Sequence, residues 1–261
     1  MSQPDQQTDA PVLTENRAGV FIITLNRPQA KNAANAAMAK AMAAALDEFN
    51  ENDDLRVAVL TGAGGTFCSG MDLKGFVGGE TPSIPGRGFL GLTQAPPAKP
   101  IIAAVEGYAV AGGFETALAC DLIVAADNAK FGLPEVKRGL AAAAGGLVAL
   151  PLRTHRAVAL EMILTGDFYD AQFMQANGIV GRVVPAGTAL DGALELAARI
   201  NANGPLAVRR SKEVAVAAPE WPAAERYARQ QELIDDVFDS ADAKEGATAF
   251  AEKRAPRWTG K

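Results

Sequence analysis

The sequence predicts an α/β protein in which strands and helices alternate through a core and helices alone fill the C-terminal third. Three observations carry this. Short apolar runs of strand character recur at 20–25, 56–62, 101–105 and 122–125. Helical periodicity appears between and after them. Beyond about residue 200, Pro205, Pro219 and Pro222 fall near helix starts, where proline fits.

In chain order, residues 1–11 are polar and acidic and read as a tail, neither signal nor transit peptide. The strand at 20–25 stops at Asn26-Arg27-Pro28. A helix is expected over about 35–50, with Met38, Met42, Leu46 and Phe49 as its buried stripe. Between about 75 and 100 the chain is rich in Gly and Pro, the pattern of a mobile loop or broken helix that often serves function. Short helices are expected at 157–164 and 169–177, and a last strand at 179–185. Thr188 to Asp191 fits a capping box that opens a helix to about 201. The expected organisation is a tail at 1–11, an α/β core at 12–200 and a helical region at 201–261.

Composition narrows the function. The 261 residues carry a net charge of −5 with no Lys/Arg run, which argues against nucleic acid and anionic membrane as partners. No apolar run reaches membrane-spanning length. Cys68 and Cys120 lack metal-like or CxxC spacing and read as reduced thiols of a cytoplasmic protein. A single histidine, His155, leaves no multi-histidine metal site and reads as structural or surface. There is no Gly-x-Ser-x-Gly elbow. The strand at 57–62 runs into Gly62, Gly64 and Gly65, which suggests a dinucleotide fold, but the glycine that should open a helix is missing. Four residues after Tyr108, Tyr169 and Tyr227 stand Gly112, Phe173 and Gln231, so the Tyr/Lys pair of a short-chain dehydrogenase is missing too.

Two glutamates carry the chemistry. Glu115 follows Gly112-Gly113-Phe114, and Glu135 follows Gly132-Leu133-Pro134. Glycines ahead of a carboxylate offer backbone N–H groups close to an acid/base, and a second carboxylate permits proton transfer at a second atom. That equipment suits adding or removing water, or moving protons, beside a carbonyl.

Further segments stand around them: Asn26-Arg27-Pro28 with Lys31-Asn32-Ala33, Ser69-Gly70-Met71-Asp72-Leu73-Lys74, Lys99 to Gly107, Ala119-Cys120-Asp121-Leu122, and the tail from Ala243 to Pro256. In order and spacing these resemble the enoyl-CoA hydratase/isomerase (crotonase) family over about residues 12–258. The resemblance implies a crotonase-like spiral of ββα units with a C-terminal helical trimerisation region. It implies an acyl-CoA thioester substrate, with coenzyme A part of the substrate and no separate cofactor or metal. The thioester oxygen would lie between the backbone N–H groups of Met71 and Gly112. Glu115 would deprotonate the water that attacks Cβ, and Glu135 would exchange the proton at Cα. Coenzyme A contacts would fall on Lys31 and on Met71, Asp72, Leu73 and Lys74. Phe250 and Lys253 would contribute from a neighbouring subunit of a homotrimer or dimer of trimers.

The expected activity is that of an enoyl-CoA hydratase, a lyase. An enoyl-CoA isomerase or other crotonase-type lyase, and a non-catalytic CoA-ester-binding or assembly protein, are the alternatives. One departure concerns the water. Where the family carries Pro-Gly about seven residues after the second glutamate, this chain has Ala142-Ala143.

Overall fold

The apolar runs assemble a six-stranded sheet, in a computed structural model that describes residues 9–261. The first eight residues of the expected tail lie outside the described residues. β1 (Val12–Arg17) and β2 (Val20–Leu25) form an antiparallel pair at one edge. β3 (Val57–Gly62), between α1 (Ala36–Glu51) and α2 (Leu73–Val77), pairs with β2 in parallel. The short strands β4 (Ser83–Ile84) and β5 (Gly88–Phe89) form a separate ribbon. β6 (Ile101–Val105) continues the main sheet, and β7 (Tyr108–Val110) leads into α3 (Gly112–Ala119). β8 (Leu122–Ala126) lies beside β6, followed by β9 (Lys130–Gly132), α4 (Gly146–Arg153) and α5 (Arg156–Thr165). β10 (Tyr169–Asp170), α6 (Ala171–Ala176) and β11 (Arg182–Val184) complete the sheets. α7 (Ala189–Asn201), α8 (Pro205–Ala217), α9 (Arg226–Asp239) and α10 (Ala241–Glu252) end the chain.

The main sheet runs β1-β2-β3-β6-β8-β11, parallel from β2 onward, and a second sheet runs β10-β9-β7. Successive pairs, β6 with β7 and β8 with β9, send one strand to each sheet. This is the expected spiral of ββα units. β6 shows why its sequence is unbroken apolar. Ile101, Ala103 and Val105 join the larger core, while Ile102 and Ala104 join a second cluster under α7. A parallel strand covered on both faces reads as a continuous run.

Three expectations need correction. β1 precedes the first expected strand. It is an edge strand that buries only Val12 fully, so it has no apolar run to announce it. Thr188 makes no side-chain cap on α7. Its hydroxyl donates to the Pro185 carbonyl instead, and the Glu106 carboxylate accepts the Gly187 and Ala189 N–H groups at 3.2 and 2.9 Å. The expected helix at 169–177 begins as β10, because Tyr169 and Asp170 pair with Phe131 and Lys130. Asp170 then caps α6 by accepting the Phe173 N–H.

The C-terminal helices bury little within one chain. α8 and α9 have no fully buried residue, and Tyr227, Phe238 and Phe250 stand exposed.

Candidate active site

Close approach of two loops creates the site. The segment from Phe67 to Asp72 zips along β7: Phe67 N–H donates to the Glu106 carbonyl, Cys68 N–H to Tyr108, and Val110 N–H to Cys68. It is pinned on its other side by Ala34, which donates to the Gly70 carbonyl and accepts the Asp72 N–H. Arg27 donates to the Ala33 carbonyl and reaches Asp72 Oδ2 at 3.0 Å. This hydrogen bond from Arg27 holds the Asp72 carboxyl below its usual range. Asp72 in turn caps α2 by accepting the Lys74 and Gly75 N–H groups. The partners of residues 70 and 72 are thereby fixed, and the Met71 N–H between them has no acceptor among the described residues.

The second loop is the turn into α3. Ala111 adopts φ 51° and ψ −131°, a region rarely used by a residue with a side chain. Its N–H donates to the Gly132 carbonyl, and its carbonyl accepts the Phe114 and Glu115 N–H groups. The Gly112 N–H, first in the helix, likewise has no acceptor among the described residues. The glycine pair is demanded by contact. A Cβ on Gly112 would lie 2.6 Å from the Phe89 ring, and one on Gly113 would lie 2.1 Å from the Cys68 carbonyl. Gly70 (φ +94°) closes the junction, since a Cβ there would sit 3.2 Å from the Gly112 nitrogen. Two backbone N–H groups without a partner among the described residues therefore belong to the lining of one cavity, one of them at a helix N-terminus, where negative charge is favoured.

Glu115 lies in the first turn of α3 and is 4% exposed. Its Oε1 accepts the N–H groups of Ala144 and Gly146, both at 2.8 Å. Burial pushes its carboxyl up to about 7, helped by nearby Glu135 and opposed by the two N–H donors. Glu135 sits on the 3₁₀ helix Pro134–Arg138. Burial raises its carboxyl as well, and its Oε2 is buried without a hydrogen-bond partner among the described residues. Burial in one cavity thus displaces both carboxyls toward the protonated form.

Glu115, Glu135, Met71 and Gly112 line one cavity of about 720 Å³. Leu73 lines it too, and Asp72 and Lys74 flank it at the start of α2. Lys31 is held against the same segment, because its carbonyl accepts the Ser69 N–H and its ammonium lies 5.7 Å from the Tyr108 ring centroid. Phe250 and Lys253 are not brought to the cavity within this chain. They belong to α10 and its C-cap, and Phe250 is 87% exposed. Among the described residues no group of three or more His, Cys, Asp or Glu side chains could hold a metal ion. His155 is exposed at the start of α5, as expected for a surface residue.

Sequence reasoning missed the residues that seat Glu115. Ala144 and Gly146 act through backbone N–H groups that any residue except proline could supply. The one trace is Gly146 itself, where a Cβ would press on Glu115 Cγ at 3.0 Å. The loop that lacks Pro-Gly thus still grips the first glutamate, while Ala143 lines the cavity. The expected Gly/Pro-rich loop also takes its place here, with Ile84 and Phe89 in the wall.

The chain is similar to known proteins along almost its whole length. The profile of a family described as enoyl-CoA hydratase/isomerase matches residues 15–261. A carnitinyl-CoA dehydratase from Salmonella typhi is 45% identical over 258 residues, covering 95% of this chain and 98% of that protein. Among solved structures, enoyl-CoA hydratase EchA1 from Mycobacterium marinum is similar with a TM-score of 0.95 and 53% identity, over 97% of this chain and 100% of that one. A carnitinyl-CoA hydratase from Mycobacterium avium is similar with a TM-score of 0.78 and 42% identity, over 97% and 99%.

Proposed function

The chain belongs to the enoyl-CoA hydratase/isomerase family, and from that premise we propose that it is a hydro-lyase which reversibly adds water to a 2-enoyl-CoA thioester, giving a 3-hydroxyacyl-CoA. One observation supports this above others: two carboxyls with raised values share a cavity with two unpartnered backbone N–H groups. The thioester oxygen accepts from Met71 and Gly112. Attack at Cβ sends an electron pair through Cα to that oxygen, and each aimed donor stabilises the charge by about 3 kcal/mol. Glu115, ionised, holds a water and takes its proton as the oxygen bonds to Cβ. Glu135, protonated, gives its proton to Cα as the enolate collapses. One water is added, and one proton has passed from Glu135 to product and one from water to Glu115. Dehydration is the same path reversed, the direction named for the carnitinyl-CoA dehydratase relatives.

Coenzyme A belongs to the substrate. Lys31 supplies a cation near its phosphates, and the backbone from Met71 to Lys74 runs along it. The exposed apolar residues of α9 and α10 favour a homotrimer or dimer of trimers, in which Phe250 and Lys253 reach a neighbour's coenzyme A. A cytoplasmic location fits two unpaired cysteines and the lack, among the described residues, of a helix long and apolar enough to cross a membrane. The test is incubation with crotonyl-CoA: the product gains the mass of one water.

A further inference from the structure

The wall that carries Glu135 has a lopsided charge. The helix Pro134–Arg138 is a 3₁₀ helix, in which side chains three apart stack on one face. Glu135 and Arg138 are such a pair, and both line the cavity. Arg138 also acts on Glu135 through space, drawing its carboxyl down against the effect of burial. The adjacent cation is committed elsewhere, since Lys137 bonds Asp167 at 2.5 Å. Arg138 has no hydrogen-bond or ion-pair partner among the described residues, and it is exposed to whatever enters. The rest of the wall is uncharged. Phe76, Phe89, Leu140 and Phe168 are apolar, Ser83 and Gln94 are neutral, and among the described residues no carboxylate beyond Glu115 and Glu135 lines it.

We propose that Arg138 sets the charge preference of the acyl end, so that the cavity favours 2-enoyl thioesters bearing a carboxylate beyond Cβ and disfavours those bearing a quaternary ammonium there. This rests on the hydratase reading for the placement of the thioester. A guanidinium offers a planar fork of donors that matches a carboxylate, while it repels a cation brought to the same place. The two glutamates do not reverse this, because in that reading they are engaged with the water and Cα. The rings of Phe76, Phe89 and Phe168 in the same wall would attract a trimethylammonium group, and the Arg138 charge acts against them.

Three thioesters that differ only in the group on C4 make the test: crotonyl-CoA with hydrogen, glutaconyl-CoA with a carboxylate, and crotonobetainyl-CoA with trimethylammonium. The readout is kcat/KM for each charged substrate divided by that for crotonyl-CoA, so that any effect of Arg138 on Glu135 itself cancels. In the native protein the carboxylate substrate should exceed the ammonium one by about tenfold or more. Arg138→Ala should cut the carboxylate ratio about tenfold, and Arg138→Glu should invert the order. Titration calorimetry with butyryl-CoA and glutaryl-CoA reads the same preference without turnover. If no substrate gains water, the hydratase reading falls, and the calorimetric ratios still decide the role of Arg138. Ratios unchanged within twofold in both variants, or a native preference for the ammonium substrate, overturn the proposal.

Discussion

Replacing Glu115 by glutamine should change how stability depends on pH, and the size follows from the site. Burial lifts this carboxyl from its ordinary 4.5 to about 7. One pKa unit is worth 1.36 kcal/mol, so the folded state favours the protonated form by about 3 kcal/mol. Below the unfolded value both states are protonated and this contribution is fully present. As pH rises toward the folded value, the unfolded chain releases a proton that the folded chain keeps, so stability falls. Above about 7 the contribution is gone. Glutamine keeps an oxygen to accept the Ala144 and Gly146 N–H groups and cannot ionise. Urea unfolding of native protein and Glu115→Gln, at pH 5 and 8 and equal protein concentration, should show the variant gaining about 2–3 kcal/mol relative to native as pH rises. A gap constant within about 0.5 kcal/mol would refute the raised value. The same titration governs catalysis, since a base must be ionised. On the native protein kcat/KM should be bell-shaped in pH, because one acid of the Glu115–Glu135 pair must be ionised and the other protonated, and its two limbs belong to the pair.

Other predictions address the oxyanion loop and the assembly. Gly112→Ala places a Cβ 2.6 Å from the Phe89 ring, so the donor shifts and kcat should fall at least about tenfold. Adding Phe89→Leu should restore part of the loss, and full kcat in the single variant would place the donor elsewhere. Light scattering at micromolar concentration should give three or six times the 27.1 kDa chain mass, and a stable monomer would contradict the proposed assembly.

Legibility in the sequence tracked burial. β2, β3, β6 and β8 are apolar along their length because they lie inside the sheet, and α1 showed its stripe because one face packs on the core. β1 was hidden by being an edge. The cap of α7 was misread because its acceptor, Glu106, lies 83 residues from Ala189 and no local pattern records so distant a contact. At the site, Gly112, Gly113 and the two glutamates were readable because close approach and acid/base chemistry restrict residue type. Ala144 and Gly146 were not, since a backbone N–H has no side-chain signature. Arg138 drew no reading from the sequence, because only the 3₁₀ turn sets it on the cavity wall with Glu135.

The central claim is that two glutamates act together to add water, and product mass tests it most directly. Native protein, Glu115→Gln and Glu135→Gln are each incubated with a 2-enoyl-CoA and with a 3-enoyl-CoA. A product heavier by one water should form from the 2-enoyl substrate with native protein. Each variant should lower kcat by about 10²-fold or more, and the two losses should not add in the double variant, because both groups serve one arrangement. Interconversion of the two enoyl isomers with no gain in mass, persisting in Glu115→Gln, would contradict the account and identify an isomerase.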